Sequence, residues 1–414
     1  MIRIAILHYA GPPTIGGVES TIAHHANALL DQGYAVRLIA GNSLKSDDER
    51  IECRSNPLFG SSHADILQVK GELDRGEVTP HFHELVQRIE QQLTDALADC
   101  AVCIAHNVHS LHKNLALTAA LANIGQRGDV RLISWAHDLA WTNPRYEREL
   151  HAGYPYDLLR QAWPSTQYVT ISDMRQAELS ALIGLPPEQI PVIHGGIDPP
   201  SFLKWTPTMR MLEARLHLLD ADGVLLLPAR LTRRKNIEFG LRVLADLRQL
   251  SQRDYRLVVT GPPGPHNPTN RSYLDDLLAL RHELQIEDSA HFVYALSDTA
   301  EPLLLDDDTL ANLYQVCDAL IFPSEQEGFG IPILEAALVR LPVFCSDIPP
   351  LRETGQDDVY AFDLAASPRQ VAQAILDHLT RETAPRLLVR IRHQFRWDVI
   401  VRTQLVPLLK PHGE

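Results

Sequence analysis

Glu327-Gly328-Phe329-Gly330-Ile331-Pro332-Ile333-Leu334-Glu335 follows an apolar run, Asp318 to Phe322, that reads as a buried parallel strand closed by Pro323. Pro332 sits where a helix begins, because its fixed φ suits the first turn and its missing N–H is not needed there. The layout is strand, acidic glycine loop, helix. Gly328 and Gly330 let the backbone approach a ligand closely, and exposed N–H groups at the helix start favour an anionic group such as a phosphate. Glu327 then lies on the loop and Glu335 inside the helix. One carboxylate can face a sugar while the other accepts hydrogen bonds from a more distant part of the same ligand. An isolated pair of glutamates at this spacing reads as a loop residue and a solvated helix residue. The glycine loop, its strand–helix setting and a basic loop upstream favour the ligand site.

That basic loop follows Gly223–Pro228, a second apolar run that reads as a strand, and it comprises Ala229-Arg230-Leu231-Thr232-Arg233-Arg234-Lys235-Asn236. Four cations here form a concentrated anion site at the end of a parallel strand. Arg230 and Lys235 suit a diphosphate, Arg through its fork of donors and Lys through a compact charge. If a bond to that diphosphate breaks, the same charges stabilise the leaving group. Cations at a helix N-terminus are unfavourable without an anion nearby, which weighs against a merely solvated basic turn. Arg233 and Arg234 are expected to point at solvent.

Both halves of the chain alternate short apolar runs with amphipathic helical patterns, the signature of βαβ units and parallel sheets. In the first half, strands are expected at 3–8, 35–40, 102–106, 131–135, 168–171 and 191–194, and helices at 18–31, 80–99, 114–124 and 173–183. The stretch from Asn42 to Gly76 is polar and irregular. In the second half, strands are expected at 223–228, 257–260, 291–294, 318–322, 342–346 and 360–362, and helices at 237–250, 272–284, 308–316, 333–339 and 368–381. Gly195-Gly196-Ile197-Asp198-Pro199-Pro200 interrupts the pattern as a linker or hinge. The expected architecture is α/β, two doubly wound Rossmann-like domains facing a cleft, over 1–195 and 196–392, with ligands outside the carboxyl ends of the strands. The tail, with Phe395-Arg396-Trp397-Asp398, should dock on the body of the protein.

At 414 residues the chain suits two domains. A net charge of −14 argues against nucleic acid or an anionic membrane surface as the main partner. No run approaches a membrane span, and the short apolar N-terminus reads as a first strand rather than a signal peptide. Peripheral membrane contact stays open. Five scattered cysteines make a disulfide framework unexpected and a reducing, cytoplasmic compartment the natural one. Cys100 and Cys103 read as buried strand cysteines.

Four further groups invite chemistry. Gly11-Pro12-Pro13-Thr14-Ile15-Gly16-Gly17-Val18-Glu19 joins the first strand to the first helix without dinucleotide-fingerprint spacing. Gly16 and Gly17 instead let the loop pass close to a substrate. His137-Asp138 follows the strand ending at Trp135, placed for substrate contact or acid–base work, although a lone histidine is as readily structural. His106, His109 and His112 lack matching carboxylates or thiolates and read as a polar loop. Asp306-Asp307-Asp308 is explained by a helix start with Asp308 as N-cap, so no metal site is assigned. No P-loop and no Ser nucleophile elbow is present.

Together these features resemble the retaining family-four glycosyltransferases of the GT-B fold, the glycosyl transferases group 1. The resemblance rests on Gly16-Gly17-Val18-Glu19, His137, Gly195-Gly196-Ile197-Asp198, Arg230 with Lys235, and the segment from Glu327 to Glu335, in the family's order over most of the chain. It implies a nucleotide-diphospho-sugar donor held mainly by the second domain. Arg230 and Lys235 would grip the diphosphate and Glu335 the ribose hydroxyls. Glu327 with the backbone of Gly328, Phe329 and Gly330 would position the sugar and phosphates. Gly17 would approach the diphosphate, and His137 the sugar near the reacting carbon. It also implies a final helix, 393–414, returning to the first domain, retention of configuration by same-face attack, and neither metal nor cofactor. The chain departs from the common pattern at His194-Gly195-Gly196 and at Leu338-Val339-Arg340-Leu341. The donor is expected to be GDP-mannose or UDP-glucose, the reaction hexosyl transfer, and the acceptor a soluble small molecule or glycan. A sugar-nucleotide epimerase of the same fold and a non-catalytic sugar-nucleotide-binding regulator are the competing readings.

Overall fold

A computed structural model describes residues 2–42, 44–263, 269–297 and 302–410. The chain divides into two compact units, Met1–Asp198 with Phe395–Glu414, and Pro199–Gln394.

The first unit runs β1 (Arg3–His8), α1 (Gly17–Asp31), β2 (Ala35–Ala40), β3 (Glu52–Ser55), α2 (Ala64–Leu73), α3 (Pro80–Leu97), β4 (Val102–His106), α4 (Leu115–Arg127), β5 (Arg131–Ala136), β6 (Thr166–Thr170) and α5 (Asp173–Ile183). All neighbouring strands are parallel, in the order β3-β2-β1-β4-β5-β6. Strands covered on both faces read as continuous apolar runs, and β1 shows why. Ala5 and Leu7 join the core built on α3 and α4, whereas Ile4 and Ile6 join the opposite core with Ile22 and Leu29 of α1. Helix α3 buries Phe82, Leu85, Ile89 and Leu93, each contributing roughly 2 kcal/mol of apolar burial, and starts at Thr79, whose hydroxyl accepts from Phe82 N at 3.3 Å.

Two expectations fail here. The stretch from Asn42 to Gly76 contains β3 and α2. Strand β3, Glu52-Cys53-Arg54-Ser55, is polar because it lies at the sheet edge, where no second face demands apolar residues. Residues 191–194 do not form a strand; Val192 makes a single bridge to Thr170, and Pro191 has no N–H to extend a ladder.

The second unit runs α6 (Pro199–Phe202), α7 (Pro207–Leu216), β7 (Gly223–Leu227), α8 (Ile237–Ser251), β8 (Tyr255–Val259), α9 (Thr269–Glu283), β9 (Ala290–Phe292), α10 (Asp307–Val316), β10 (Ala319–Phe322), α11 (Ile331–Leu338), β11 (Val343–Ser346), α12 (Pro349–Gly355), β12 (Tyr360–Phe362), α13 (Pro368–Arg381) and α14 (Thr383–Gln394). Its strands are again parallel, in the order β12-β11-β10-β7-β8-β9. Leu225, Leu227 and Ile321 face one core and Val224, Leu226 and Phe322 the other. Helices α7, α12 and α14 have no counterpart in the sequence reading. Asp306, not Asp308, caps α10, accepting from Thr309 N at 2.7 Å. At the amino end of β10, Arg392 of α14 donates to Asp318 at 2.7 Å; both side chains are buried, and Val224 N donates to the same carboxylate oxygen at 2.7 Å.

The chain then re-enters the first unit as α15 (Trp397–Ile400) and α16 (Val406–Leu409), joined by a π-helical turn, Val401–Leu405. Trp397, Ile400 and Leu405 pack beside Ile22 of α1. Ile197 N donates to Phe395 O at 2.7 Å, and a Cβ on Gly196 would meet Ile400 at 2.8 Å and Phe395 O at 3.0 Å. Gly196 is therefore required by this close approach of the tail. No helix among the described residues is long and apolar enough to cross a membrane. All five cysteines are unpaired; Cys103 is buried inside β4, while Cys100 is buried just ahead of it.

Candidate active site

In an open parallel sheet, the crevice for a ligand opens where successive crossovers leave in opposite directions. In the second unit that point lies between β7 and β10, which pair through Ala319↔Leu225 and Leu320↔Leu226. Both loops singled out in the sequence leave from the carboxyl ends of these two strands, so they are neighbours. The tertiary structure joins them directly. Lys235 Nζ donates to Glu327 Oε1, with both side chains about nine-tenths buried, and lies 5.0 Å from the centre of the Phe322 ring. Burial lowers the Lys235 pKa; the Glu327 carboxylate opposes that shift and the nearby Arg234 cation adds to it.

Arg233 and Arg234 are exposed, as expected, but Arg234 also bonds across to the glutamate loop. Its guanidinium donates to Gln326 O at 2.8 Å and lies 3.6 Å from Glu327, while its own carbonyl accepts from Glu325 N at 2.8 Å. It staples the basic loop to the glutamate loop. Arg233 pairs with Asp276 at 2.7 Å and stacks over Tyr273 at 5.0 Å, so neither middle arginine is idle. Arg230 is exposed on the same loop.

The glycine loop enters α11 through Gly330 at φ +99°, a conformation that disfavours a side chain; an added Cβ would also meet Leu351 at 2.6 Å. A Cβ on Gly328 would meet nothing. Phe329 is half-exposed, and its carbonyl accepts from the Thr354 hydroxyl. Pro332 lies in the first turn of α11, as expected. Glu335 points to Tyr314 of α10, whose hydroxyl donates to it at 2.6 Å. Burial and this carboxylate together push the Tyr314 phenol strongly upward. The contacts of Tyr314 with Glu335 and of Arg234 with the Glu327 loop were missed in the sequence; Tyr314 carries no local motif, and Arg234 meets its partner only because β7 and β10 are neighbours.

In the first unit the corresponding point lies between β1 and β4. His8 ends β1 and His106 ends β4, and His8 Nδ1 donates to His106 O at 2.7 Å. His137, just past β5, lines a cavity of about 400 Å³ with Gly17, Val18, Trp135, His194 and Trp397. Gly16 is the N-cap of α1 and Gly17 its first residue. The expected His–Asp pair is not a dyad. The His137 ring bonds instead to His106 Nδ1, through Nε2 at 2.9 Å, while Asp138 turns to Arg175 at 3.3 Å. Burial, reinforced by His8, brings the His137 pKa down to about 3, so the ring is neutral at physiological pH. His109 and His112 do not join this group. His109 bonds to Gln161 O at 3.1 Å and His112 to Glu149 at 2.9 Å.

The described residues hold no group of three or more His, Cys, Asp or Glu arranged to bind a metal ion. The arrangement in the second unit can hold an anion against buried and exposed cations at a helix start, with carboxylates to either side.

Two family models account for most of the sequence. The model described as Glycosyltransferase Family 4 matches residues 15–200, and Glycosyl transferases group 1 matches 213–394. The chain is a group 1 glycosyltransferase. Its two parallel sheets are those of the GT-B fold. This glycosyltransferase is 23% identical over 376 residues to mannosylglucosylglycerate synthase of Thermotoga maritima, covering 84% of the chain and 83% of that protein. It is 29% identical over 203 residues to an uncharacterized glycosyltransferase of Methanocaldococcus jannaschii, covering 48% of the chain and less than half, 46%, of that relative. A serotype-specific mannosyltransferase of Escherichia coli, WbdA, is 34% identical over 128 residues, 31% of the chain and 14% of that protein.

Proposed function

We propose that this glycosyltransferase moves a hexosyl group from a nucleotide-diphospho-sugar to an acceptor hydroxyl with retention of configuration. The observation that carries the proposal is the Lys235–Glu327 pair at the switch point of the second sheet, beside the exposed Arg230 and the start of α11. A buried ammonium with one carboxylate partner retains donor capacity for a phosphate oxygen. Arg230 and Lys235 are assigned to the diphosphate, together with the backbone of Gly328, Phe329 and Gly330. Glu335, already accepting from Tyr314, keeps acceptor capacity for ribose hydroxyls. His137, Gly16 and Gly17 are assigned to the donor sugar and its phosphate.

In the reaction, the bond from the anomeric carbon to the β-phosphate oxygen breaks and the acceptor oxygen bonds to the same face. The acceptor's proton passes to the departing phosphate. Arg230 and Lys235 stabilise the charge that develops there, the task a metal ion performs in other sites. Glu327 is assigned to holding Lys235 and the sugar, not to a covalent adduct. The mannosyl names of two relatives make GDP-mannose the first donor to test and UDP-glucose the second. A soluble small molecule or glycan is the acceptor class proposed, and the cytoplasm the compartment.

The test is incubation with a panel of nucleotide sugars and acceptors, following donor consumption and the product's anomeric configuration by NMR. Consumption of one donor with retained configuration supports the proposal. An inverted product, a trapped adduct on Glu327, or binding of a donor with no turnover would overturn it.

A further inference from the structure

The rings of His106 and His137 share one hydrogen bond, Nδ1 to Nε2 at 2.9 Å. Both are buried and uncharged, and burial is the first cause in each case. A neutral imidazole carries one N–H and one lone pair, so two arrangements compete. In one, His137 Nε2–H donates, and His106 must carry its proton on Nε2. That nitrogen is buried without a hydrogen-bond partner, among Trp135 at 5.4 Å and His25 at 5.6 Å between ring centres. In the other, His106 Nδ1–H donates, and the unpartnered atom is a lone pair. Orphaned buried N–H groups are rarer than under-satisfied acceptors, so the second arrangement is favoured. The rest of the strand end agrees with a preset His137. Asn107, at φ +58°, accepts from His137 N at 2.8 Å and from Asp138 N at 3.3 Å. His8 fixes the carbonyl of His106.

We propose that His106 is a positioning residue that holds His137 as the neutral Nδ1–H tautomer, so that His137 presents an N–H donor to an acceptor oxygen of the donor sugar. The proposal rests on the reading above that His137 contacts that sugar. Residues 106 and 107 on one strand end would then set both the backbone and the proton of a residue on the next.

The wild-type protein tests the tautomer directly. Histidine ring ¹⁵N shifts at neutral pH, with His137 assigned by its loss in His137→Asn, should show a protonated Nδ1 and an unprotonated Nε2. The opposite tautomer overturns the proposal. Two variants test the consequence. His106→Asn keeps an amide N–H near the position of Nδ1 and should leave kcat/KM within about threefold of wild type, while His106→Leu should lower it about tenfold, the scale of one lost hydrogen bond. Equal losses in both variants, each folded by circular dichroism, overturn the positioning role. A shifted tautomer in His106→Leu with unchanged kcat/KM leaves the tautomer assignment standing but overturns the sugar contact and the role built on it.

Discussion

His25 is fully buried, with neither ring nitrogen hydrogen-bonded, wedged against Trp135 at 4.7 Å and Trp397 at 5.2 Å between ring centres. Burial first, then the neighbouring His137 and His24, lower its pKa to about 3 from the ordinary imidazole value of about 6.5. The unfolded chain therefore binds a proton at His25 below pH 6.5 while the folded protein does not. Stability is lost as the pH falls from 6.5 towards 3. At about 1.36 kcal/mol per pKa unit, His25 alone removes about 2 kcal/mol between neutral pH and pH 5. His25→Phe preserves the ring contacts and removes the titration; any overpacking cost is independent of pH and leaves the slope interpretable. Four of the five tryptophans, Trp135, Trp141, Trp163 and Trp397, belong to the same unit, so urea unfolding followed by tryptophan fluorescence reports mainly on it. The wild type should lose about 2 kcal/mol more than His25→Phe between pH 7 and pH 5. Parallel stability curves, or a His25 resonance titrating near 6.5 in the native protein, would refute the reasoning.

Three further outcomes are expected. Lys235→Ala leaves Glu327 buried with Arg234 as its remaining cation at 3.6 Å, so the second unit should lose about 3 kcal/mol as well as transfer; Lys235→Met with Glu327→Gln should recover most of the stability in urea unfolding and none of the turnover. Arg392→Met strands the Asp318 carboxylate and should destabilise by about 3–5 kcal/mol, whereas the double change Arg392→Met with Asp318→Leu should cost less, a difference that a double-mutant cycle in denaturant measures. If Glu335 receives the donor's ribose as proposed, Glu335→Gln should weaken donor binding by more than tenfold in calorimetry, while Tyr314→Phe, which removes only the hydroxyl that orients the carboxylate, should weaken it by less than tenfold.

The doubly wound plan was legible because strands buried on both faces are continuous apolar runs, as β1, β7 and β10 are. Edge strand β3 was not, since Glu52 and Arg54 fill one face and Cys53 is the sole apolar residue on the other, and α14 was not, since Arg392, its one fully buried residue, is a cation. Asp306, Asp307 and Asp308 are equally good caps in sequence, because the bond comes from a backbone N–H that any of the following residues supplies, so the choice of Asp306 was not legible.

The sequence by itself determined the two-unit plan and the strand–loop–helix settings of Glu327–Glu335 and Arg230–Lys235, whereas the demand for Gly196 came from the packing of the tail. The plan and the settings follow from periodicity and backbone sterics, which are local. Partner choice was decided by the tertiary structure. Residues 92 positions apart in Lys235–Glu327, and 31 apart in His106–His137, meet because β10 pairs with β7 and β5 with β4. The same pairing turned His137 away from Asp138 and towards a second histidine. A hydrogen bond is chosen by what burial brings within about 3 Å, and sequence adjacency does not specify that.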